Sequence, residues 1–442
     1  MMQPWFEKAK LGIFIHWGIY AVDGRGGESW PITRGEVSYN DYMKQMDHFG
    51  AKAYDPEAWA DLIVRSGAKY AVLTTKHHDG VTLWPTAEPG PCISRDTDAG
   101  DLVAPYIKAI RDRGIHTGLY FSHTDWSHQE HFEVITGKTG EELTVLRDQI
   151  TAFRYDWADS FKEDYDRNDP IVKDKWQVFL DFEKRQIKEL LTNYGTIDLL
   201  WFDVMLHRPG YDYKCRLLRD YIYDLSPKTV INSRLESYGD YETPEQFIPV
   251  YPPEGPWEAC LTTNDTWSYT GNEKAYKSAF EIITMFCECL SMGGNMLLNI
   301  GPDSQGNIPE AQVTLLETLG QWIDRNEESV YTSRRGLPMG YAYGMTSLSE
   351  SEDVIYVYLS HLPKGTTSVK GIRNEIKAVT VLASGESCGF KRIGGAPWLN
   401  VPGNLWIELP KEGLDPYVTV LKIELEGALD LHEGLGIEID VN

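Results

Sequence analysis

Residues 197–203 read Ile197-Asp198-Leu199-Leu200-Trp201-Phe202-Asp203. A helical stretch ends near Asn193, Gly195 makes a turn, and a run that is apolar on both faces follows. That pattern predicts a buried strand of a parallel sheet. The last residue of the run is a carboxylate. An unpaired buried carboxylate is very costly, so Asp203 must have partners or open into a cavity. The C-terminal end of a barrel strand is where such folds keep their chemistry. Taken alone, Asp203 suits a solvated strand end or a structural network equally well, and the rest of the chain has to decide.

Working outward, the same alternation recurs. Strands are predicted at 11–17, 69–75, 115–122, 229–232, 258–262 and 295–300. Between them lie helical patterns. Asp55-Pro56-Glu57 opens one as N-cap and first turn, and Gly67 closes it. Asp101 caps another that runs through Arg113. A long helix is predicted over 176–193, and further helices near 213–225, 276–292 and 309–326. An insertion rich in acidic and aromatic residues occupies 123 to about 175. Seven or eight strand–helix units with right-handed crossovers predict a (β/α)8-like barrel over residues 1–335, although an eighth strand does not stand out. No Gly-x-Gly-x-x-Gly and no P-loop is present, which removes support for a nucleotide fold. The loop 234–257, rich in Pro and acidic residues, is expected on the functional face of the barrel. After about Arg335 the texture changes. The runs 354–359, 378–382, 405–409 and 418–425, separated by Gly, Pro and Asn, predict a C-terminal antiparallel β-sandwich over 336–442.

Composition narrows the partners. Asp and Glu number 66 against 42 Lys and Arg, a net charge of −24, which argues against nucleic acid and against an anionic membrane. A neutral substrate fits better. The 14 Trp and 25 Tyr supply faces that pack against sugar rings. No apolar run is long enough to span a membrane, and Met1-Met2-Gln3-Pro4-Trp5 is no signal peptide. The expected location is cytoplasmic, or exported if a leader has been removed. The six scattered cysteines are expected as free buried thiols.

Four predicted strand ends carry polar or aromatic groups. They are His16-Trp17, Lys76-His77-His78-Asp79-Gly80, Tyr120 with His123 and Asp125-Trp126 beyond it, and Trp201-Phe202-Asp203. Barrel strands converge at their C-termini, so these groups should line one pocket. His77 and His78 are adjacent and tend to diverge, and no His-x-His or His-Glu-x-x-His occurs, so no metal or cofactor is expected. No Gly-x-Ser-x-Gly elbow is present. Glycoside hydrolysis needs two carboxylates. Asp203 supplies one; Glu236, Asp240, Glu242, Glu245, Glu254 and Glu258 are candidates for the other.

The stretches Gly12-Ile13-Phe14-Ile15-His16-Trp17-Gly18, Lys76-His77-His78-Asp79-Gly80, Trp201-Phe202-Asp203, Trp257-Glu258-Ala259-Cys260, Asn264-Asp265-Thr266-Trp267 and Asn295-Met296-Leu297-Leu298-Asn299-Ile300-Gly301-Pro302 resemble, in order, the α-L-fucosidases of glycoside hydrolase family 29. The resemblance covers residues 5 to about 330. It implies a retaining exo-glycosidase acting on fucosylated oligosaccharides or glycoconjugates, with a barrel followed by a β-sandwich. Asp203 matches the family's nucleophile. His16, His77, His78, Tyr120 and Trp201 match positions that hold the fucose hydroxyls or line the pocket. Trp30 lies near a further sugar-contacting tryptophan. The family has Glu followed directly by Trp there, whereas this chain inserts Ser29 between Glu28 and Trp30. Arg234 matches an arginine near the scissile bond. The segment Asp240-Tyr241-Glu242-Thr243-Pro244-Glu245 resembles one whose final Glu is the acid/base in some members, which favours Glu245; Glu254 is an alternative, and Glu258 is expected to make structural hydrogen bonds. Two other readings stay open: a hydrolase of L-galactosides, and a non-catalytic sugar-binding protein on the same barrel.

Overall fold

The computed structural model describes residues 2–150, 170–204, 214–271 and 276–434. Seven parallel strands carry the first part: β1 Leu11–Ile15, β2 Tyr70–Lys76, β3 His116–Ser122, β4 Leu199–Asp203, β5 Val230–Ile231, β6 Glu258–Thr262 and β7 Asn295–Ile300. Their order is β5-β4-β3-β2-β1-β7-β6. Between the two edges runs the stretch 240–246. Tyr241 bridges Asn232 on one side, while Glu242 and Glu245 bridge Trp257 and Cys260 on the other, all in parallel sense. The backbone bonds Asp240 N–H to Ile231 O at 2.6 Å and Gln246 N–H to Cys260 O at 3.0 Å join both edges and close the barrel. This explains why an eighth strand is not distinct in the sequence. Its place is taken by a stretch with Pro244 in the middle and a left-handed Gln246 at its end (φ 60), not by a regular strand. The loop 234–257 is therefore part wall and part functional face.

Strand alternation explains the barrel's interior. In β4, Leu199 and Trp201 point into the barrel beside Phe14, Tyr70, Val72, Tyr120, Val230, Tyr241, Cys260 and Leu297. Leu200 and Phe202 belong to the larger core shared with the surrounding helices. Side chains two apart share a face, so Asp203 continues the inward row of Leu199 and Trp201. The short helix Pro4–Ala9 plugs the opposite end, with Phe6 buried against Tyr241 at 4.2 Å.

The expected helices form, with shifted ends. Asp55 accepts from the backbone of Glu57 and Ala58 and caps Pro56–Arg65. Asp101 accepts from the N–H groups of Val103 and Ala104 ahead of Val103–Asp112. The long helix starts at Pro170, not 176, and ends at Asn193. The insertion after His123 holds two helices of its own, Gln129–Thr136 and Gly140–Asp148; its portion 151–169 lies outside the described residues. The helix expected from 213 begins at Cys215, and position 213 also lies outside them. Ser278 and Glu281 form a capping box, so the next helix spans Ala279–Ser291. The last helix, Glu310–Tyr331, breaks its helical geometry at Asn326, where the sequence predicts an end, and then resumes.

The C-terminal part adds eight antiparallel strands: β8 Ser333–Arg335, β9 Met345–Ser349, β10 Val354–Leu359, β11 Thr366–Val369, β12 Ile376–Val381, β13 Gly389–Ile393, β14 Asn404–Glu408 and β15 Thr419–Leu425. They form a five-stranded sheet (β12-β15-β10-β9-β8) and a three-stranded sheet (β11-β14-β13). Ile355, Val357, Val381 and Ile423 of the first meet Val369, Leu405 and Ile407 of the second in one core. The sandwich is tied to the barrel by Trp322 Nε1, which donates to Val418 O at 2.9 Å, and by the Arg325–Asp415 ion pair at 2.8 Å.

Candidate active site

The strand C-termini open into a cavity of about 440 Å³. Phe14, His16, Glu28, Trp30, His77, Tyr120, Trp201, Asp203, Val204, Arg234, Glu245 and Trp267 line it. Of the residues singled out from the sequence, His16, Trp30, His77, Tyr120, Trp201, Asp203, Arg234 and Glu245 line it, whereas the strand-end residues Trp17, Lys76, Asp79, His123, Asp125 and Trp126 do not. His78 sits just behind the lining, its ring 4.8 Å from that of Trp30 and its Nε2 3.9 Å from Asp203 Oδ2. Phe14, Glu28, Val204 and Trp267 were not singled out as site residues. The inward alternation Gly12-Phe14-His16 could have revealed Phe14, and the Asn264–Trp267 motif could have revealed Trp267.

Asp203 is gripped on both oxygens. Oδ2 accepts from the Tyr120 hydroxyl at 2.7 Å. Oδ1 accepts from Arg234 Nη1 at 2.5 Å and from the Val204 N–H at 2.8 Å. Val204 takes a left-handed conformation (φ 53), which strains a β-branched residue and turns its N–H onto the carboxylate. Burial alone would raise the Asp203 carboxyl, but the Arg234 charge, His78, the Tyr120 hydroxyl and the Val204 N–H outweigh it and hold it below the usual carboxylate range. Asp203 is an anion at neutral pH.

Arg234 follows β5 and spans two carboxylates. Its Nη2 donates to Glu245 Oε2 at 2.5 Å while Nη1 holds Asp203. The guanidinium lies 4.6 Å over the Trp201 ring. Burial works against this cation, yet Asp203 and Glu245 keep it firmly protonated. The Glu245 side chain is 41% exposed and the Asp203 side chain 15%, so Glu245 sits nearer solvent and Asp203 deeper. Glu236, Asp240, Glu242, Glu254 and Glu258 do not line the cavity. Asp240 instead accepts from the Tyr223 hydroxyl, and Glu258 lies inside the barrel.

The three histidines are neutral. Burial lowers His16 and His78 to about 4 despite the pull of Asp203. Burial, then the neighbouring His78 and His16, lowers His77 well below its ordinary value. Their partners fix the tautomers. His16 Nδ1 lies 2.6 Å from Asn299 Oδ1, an acceptor, so Nδ1 carries the proton and Nε2 is left to accept. Ser122 Oγ donates to Thr124 O at 2.6 Å, so His78 Nδ1 donates to Ser122 over 2.7 Å. His78 Nε2, buried and without a hydrogen-bond partner among the described residues, is again an acceptor. His77 Nδ1 pairs with Ser29 Oγ at 2.6 Å. The residue inserted between Glu28 and Trp30 is therefore used to orient His77.

Glu28 is a second buried carboxyl in the wall. Its Oε1 accepts from the Ser268 N–H at 2.7 Å. Burial pushes it up to about 7, against the Ser268 hydrogen bonds and the Arg34 charge. The donor atoms of His77, His78 and Asp203 lie within 4.8 Å of one another, close enough for a cation. The Arg234 guanidinium on Asp203 already supplies the positive charge there and opposes a second cation. A deep anion, a cation beside it, neutral imidazole acceptors and indole walls suit a neutral polyol ring.

The Alpha-L-fucosidase family model matches residues 1–328. Human tissue α-L-fucosidase is 30% identical over 364 residues, covering 75% of this chain and 70% of that one. Among solved structures, α-L-fucosidase isoenzyme 1 from Paenibacillus thiaminolyticus superposes with a TM-score of 0.79 at 30% identity, over 96% of this chain and 98% of that chain. The Thermotoga maritima α-fucosidase, solved in complex with a mechanism-based inhibitor, gives a TM-score of 0.73 at 26% identity, over 95% and 96%. The barrel, the sandwich and these matches agree: the chain belongs to the α-L-fucosidase family and is a glycoside hydrolase.

Proposed function

We propose that the protein is a retaining exo-α-L-fucosidase that releases terminal α-L-fucose from oligosaccharides or glycoconjugates. The observation that carries this reading is the Arg234 guanidinium spanning Asp203 and Glu245 in one cavity. An anionic nucleophile and a more exposed carboxyl on the same wall are the two groups double displacement requires.

In the first step an Asp203 oxygen bonds to the anomeric carbon as the glycosidic C–O bond breaks. The Glu245 carboxylic acid gives its proton to the leaving oxygen. In the second step water attacks the same carbon, the Glu245 carboxylate takes the water's proton, and the Asp203 ester bond breaks. Two inversions give net retention. Tyr120 and Arg234 hold Asp203 for attack. His16 and His78 accept from sugar hydroxyls through Nε2, His77 adds a further imidazole, and Trp30 and Trp201 pack against the ring. Phe14 and Trp267 offer an apolar wall for the 6-methyl group. Such a wall discriminates against the added hydroxyl of an L-galactoside by about 10²-fold.

One observation favours a second source of the proton. Glu28 is buried in the cavity wall with its carboxyl at about 7, which suits an acid near neutrality. Two variants decide. With Glu245 as the acid, Glu245→Gln loses far more rate on natural oligosaccharides than on aryl fucosides with good leaving groups, and azide restores turnover. If Glu28→Gln shows that pattern and Glu245→Gln does not, the proton comes from Glu28. The overall reading is tested by nitrophenol release from 4-nitrophenyl α-L-fucoside with Asp203→Asn alongside. Wild-type rates in a folded Asp203→Asn would end it, and equal rates on the L-galactoside would change the sugar.

A further inference from the structure

Glu258 opens β6 and is fully buried inside the barrel, below the cavity and outside its lining. Donors from three different parts of the wall converge on its carboxyl. The Tyr70 hydroxyl of β2 donates to Oε2 at 2.5 Å. Trp201 Nε1 of β4 donates to Oε1 at 3.0 Å, and the Tyr241 hydroxyl of the closing stretch lies 3.5 Å from the same oxygen. A charge-bearing group inside a barrel costs stability unless it is paired, yet neither displacement step touches it. What it does touch is Trp201. That indole is the plane over which Arg234 lies at 4.6 Å and against which Tyr120 stacks at 5.7 Å and 17°. Arg234 and Tyr120 are the side chains that hold the two oxygens of Asp203.

We propose that Glu258 is a positioning residue for the reaction: by fixing the Trp201 indole it fixes the two groups that hold Asp203. The Trp201 Nε1–H needs an acceptor in an apolar interior, and Glu258 is the acceptor it has. Displacing a supporting ring by a fraction of an ångström misaligns the nucleophile, and such errors cost one to two orders of magnitude in rate. Burial pushes the Glu258 carboxyl up to about 7, against the three donors and the Arg234 charge. The groups facing it do not titrate nearby. Burial drives Tyr70 and Tyr241 well above 10 and Cys260 well above 9. A spectroscopic step near neutrality in this cluster therefore belongs to Glu258.

The test uses Glu258→Leu, Glu258→Gln and Trp201→Phe in the full chain, with folding checked by circular dichroism and Tm. Leucine removes the acceptor and glutamine keeps it. Glu258→Leu should lower kcat at least about tenfold with KM within about twofold, and Glu258→Gln should recover most of the loss at acidic pH, where Glu258 itself is protonated. Tryptophan fluorescence of the wild type should titrate between about pH 6 and about pH 8. The share of that step carried by Trp201 should be missing from both Glu258→Gln and Trp201→Phe, and the share that Glu28 contributes beside Trp30 should remain in both and be missing from Glu28→Gln. A folded Glu258→Leu with wild-type kcat, or a Glu258→Gln with the wild-type titration, overturns the proposal. If Glu258→Leu does not fold, the glutamine titration decides, read in a Glu28→Gln background so that only the Glu258 step remains. The inference rests on Asp203 as nucleophile. The titration needs no substrate, so a failure of the Glu258–Trp201 link and a failure of the Asp203 reading are told apart.

Discussion

Tyr120 of β3 lies opposite Trp201, two residues before Asp203 on the neighbouring strand β4, and its hydroxyl reaches along the sheet to donate to Asp203 Oδ2 over 2.7 Å. That bond favours the anion and helps keep the Asp203 carboxyl low. Tyr120→Phe removes it, so the Asp203 pKa rises and the acid limb of kcat/KM moves to higher pH. At the foot of that limb the rate should fall about tenfold for every whole pH step the limb travels. A pH–rate profile on an aryl fucoside checks this, and an unmoved acid limb would contradict it.

Arg234 acts as a fork, which sets the outcome of replacing it. Lysine keeps the charge but cannot hold Asp203 and Glu245 at once. Arg234→Lys should lose about 10²-fold in kcat/KM while staying folded. Steady-state kinetics beside a melting curve measures both. Activity within a few-fold of wild type would show that one contact suffices.

Buried carboxyls give the stability a definite pH dependence. Burial pushes Glu258 and Glu28 up to about 7 and Asp79 up to about 6, from ordinary values of 4.5 and 3.8. Each binds a proton more tightly in the folded chain than in the unfolded one. Their contribution is therefore fully present below the ordinary carboxylate range and is lost as pH rises through 6 to 7. Glu258 alone accounts for roughly 3 kcal/mol of this change. Tm should decline across that window, and Glu258→Gln should flatten the decline. A variant that melts in parallel with wild type at every pH would refute the assignment.

Lys76 and Asp125 form an ion pair at 3.1 Å with both side chains essentially unexposed, beneath the His77-His78 turn. Gln186 accepts a second bond from Lys76 at 3.0 Å. Lys76→Met strands a buried carboxylate and should cost about 3–5 kcal/mol. Lys76→Met with Asp125→Asn should cost less than the sum of the two single changes. Denaturant unfolding of the four proteins in the cycle gives the coupling directly.

Much of this was legible in the sequence because the signals are local. Asp101 and Asp55 cap the helices they precede, and the apolar run into Asp203 is the strand it reads as. The stretch 240–246 was opaque because its pairing is set by β5 and β6 and not by its own residues. β13 shows no alternation because every one of its residues is exposed, and β8 and β9 carry too few apolar residues to stand out. In the site, the strand-end residues were legible from position, whereas Glu28 was not. Its burial depends on Ser268, 240 positions away.

A cask with seven straight staves and one bent one still closes at the bend. The stretch 240–246 is that bent stave, not a regular strand, yet bonded to the β6 side through Glu242, Pro244 and Gln246 and to the β5 side through Asp240 and Tyr241. Asp203 ends a regular strand of the frame, whereas Glu245 rides on the irregular stretch. On the roles proposed above, the nucleophile is built into a regular strand of the architecture, while the group that meets the leaving sugar is carried by the irregular element of the wall.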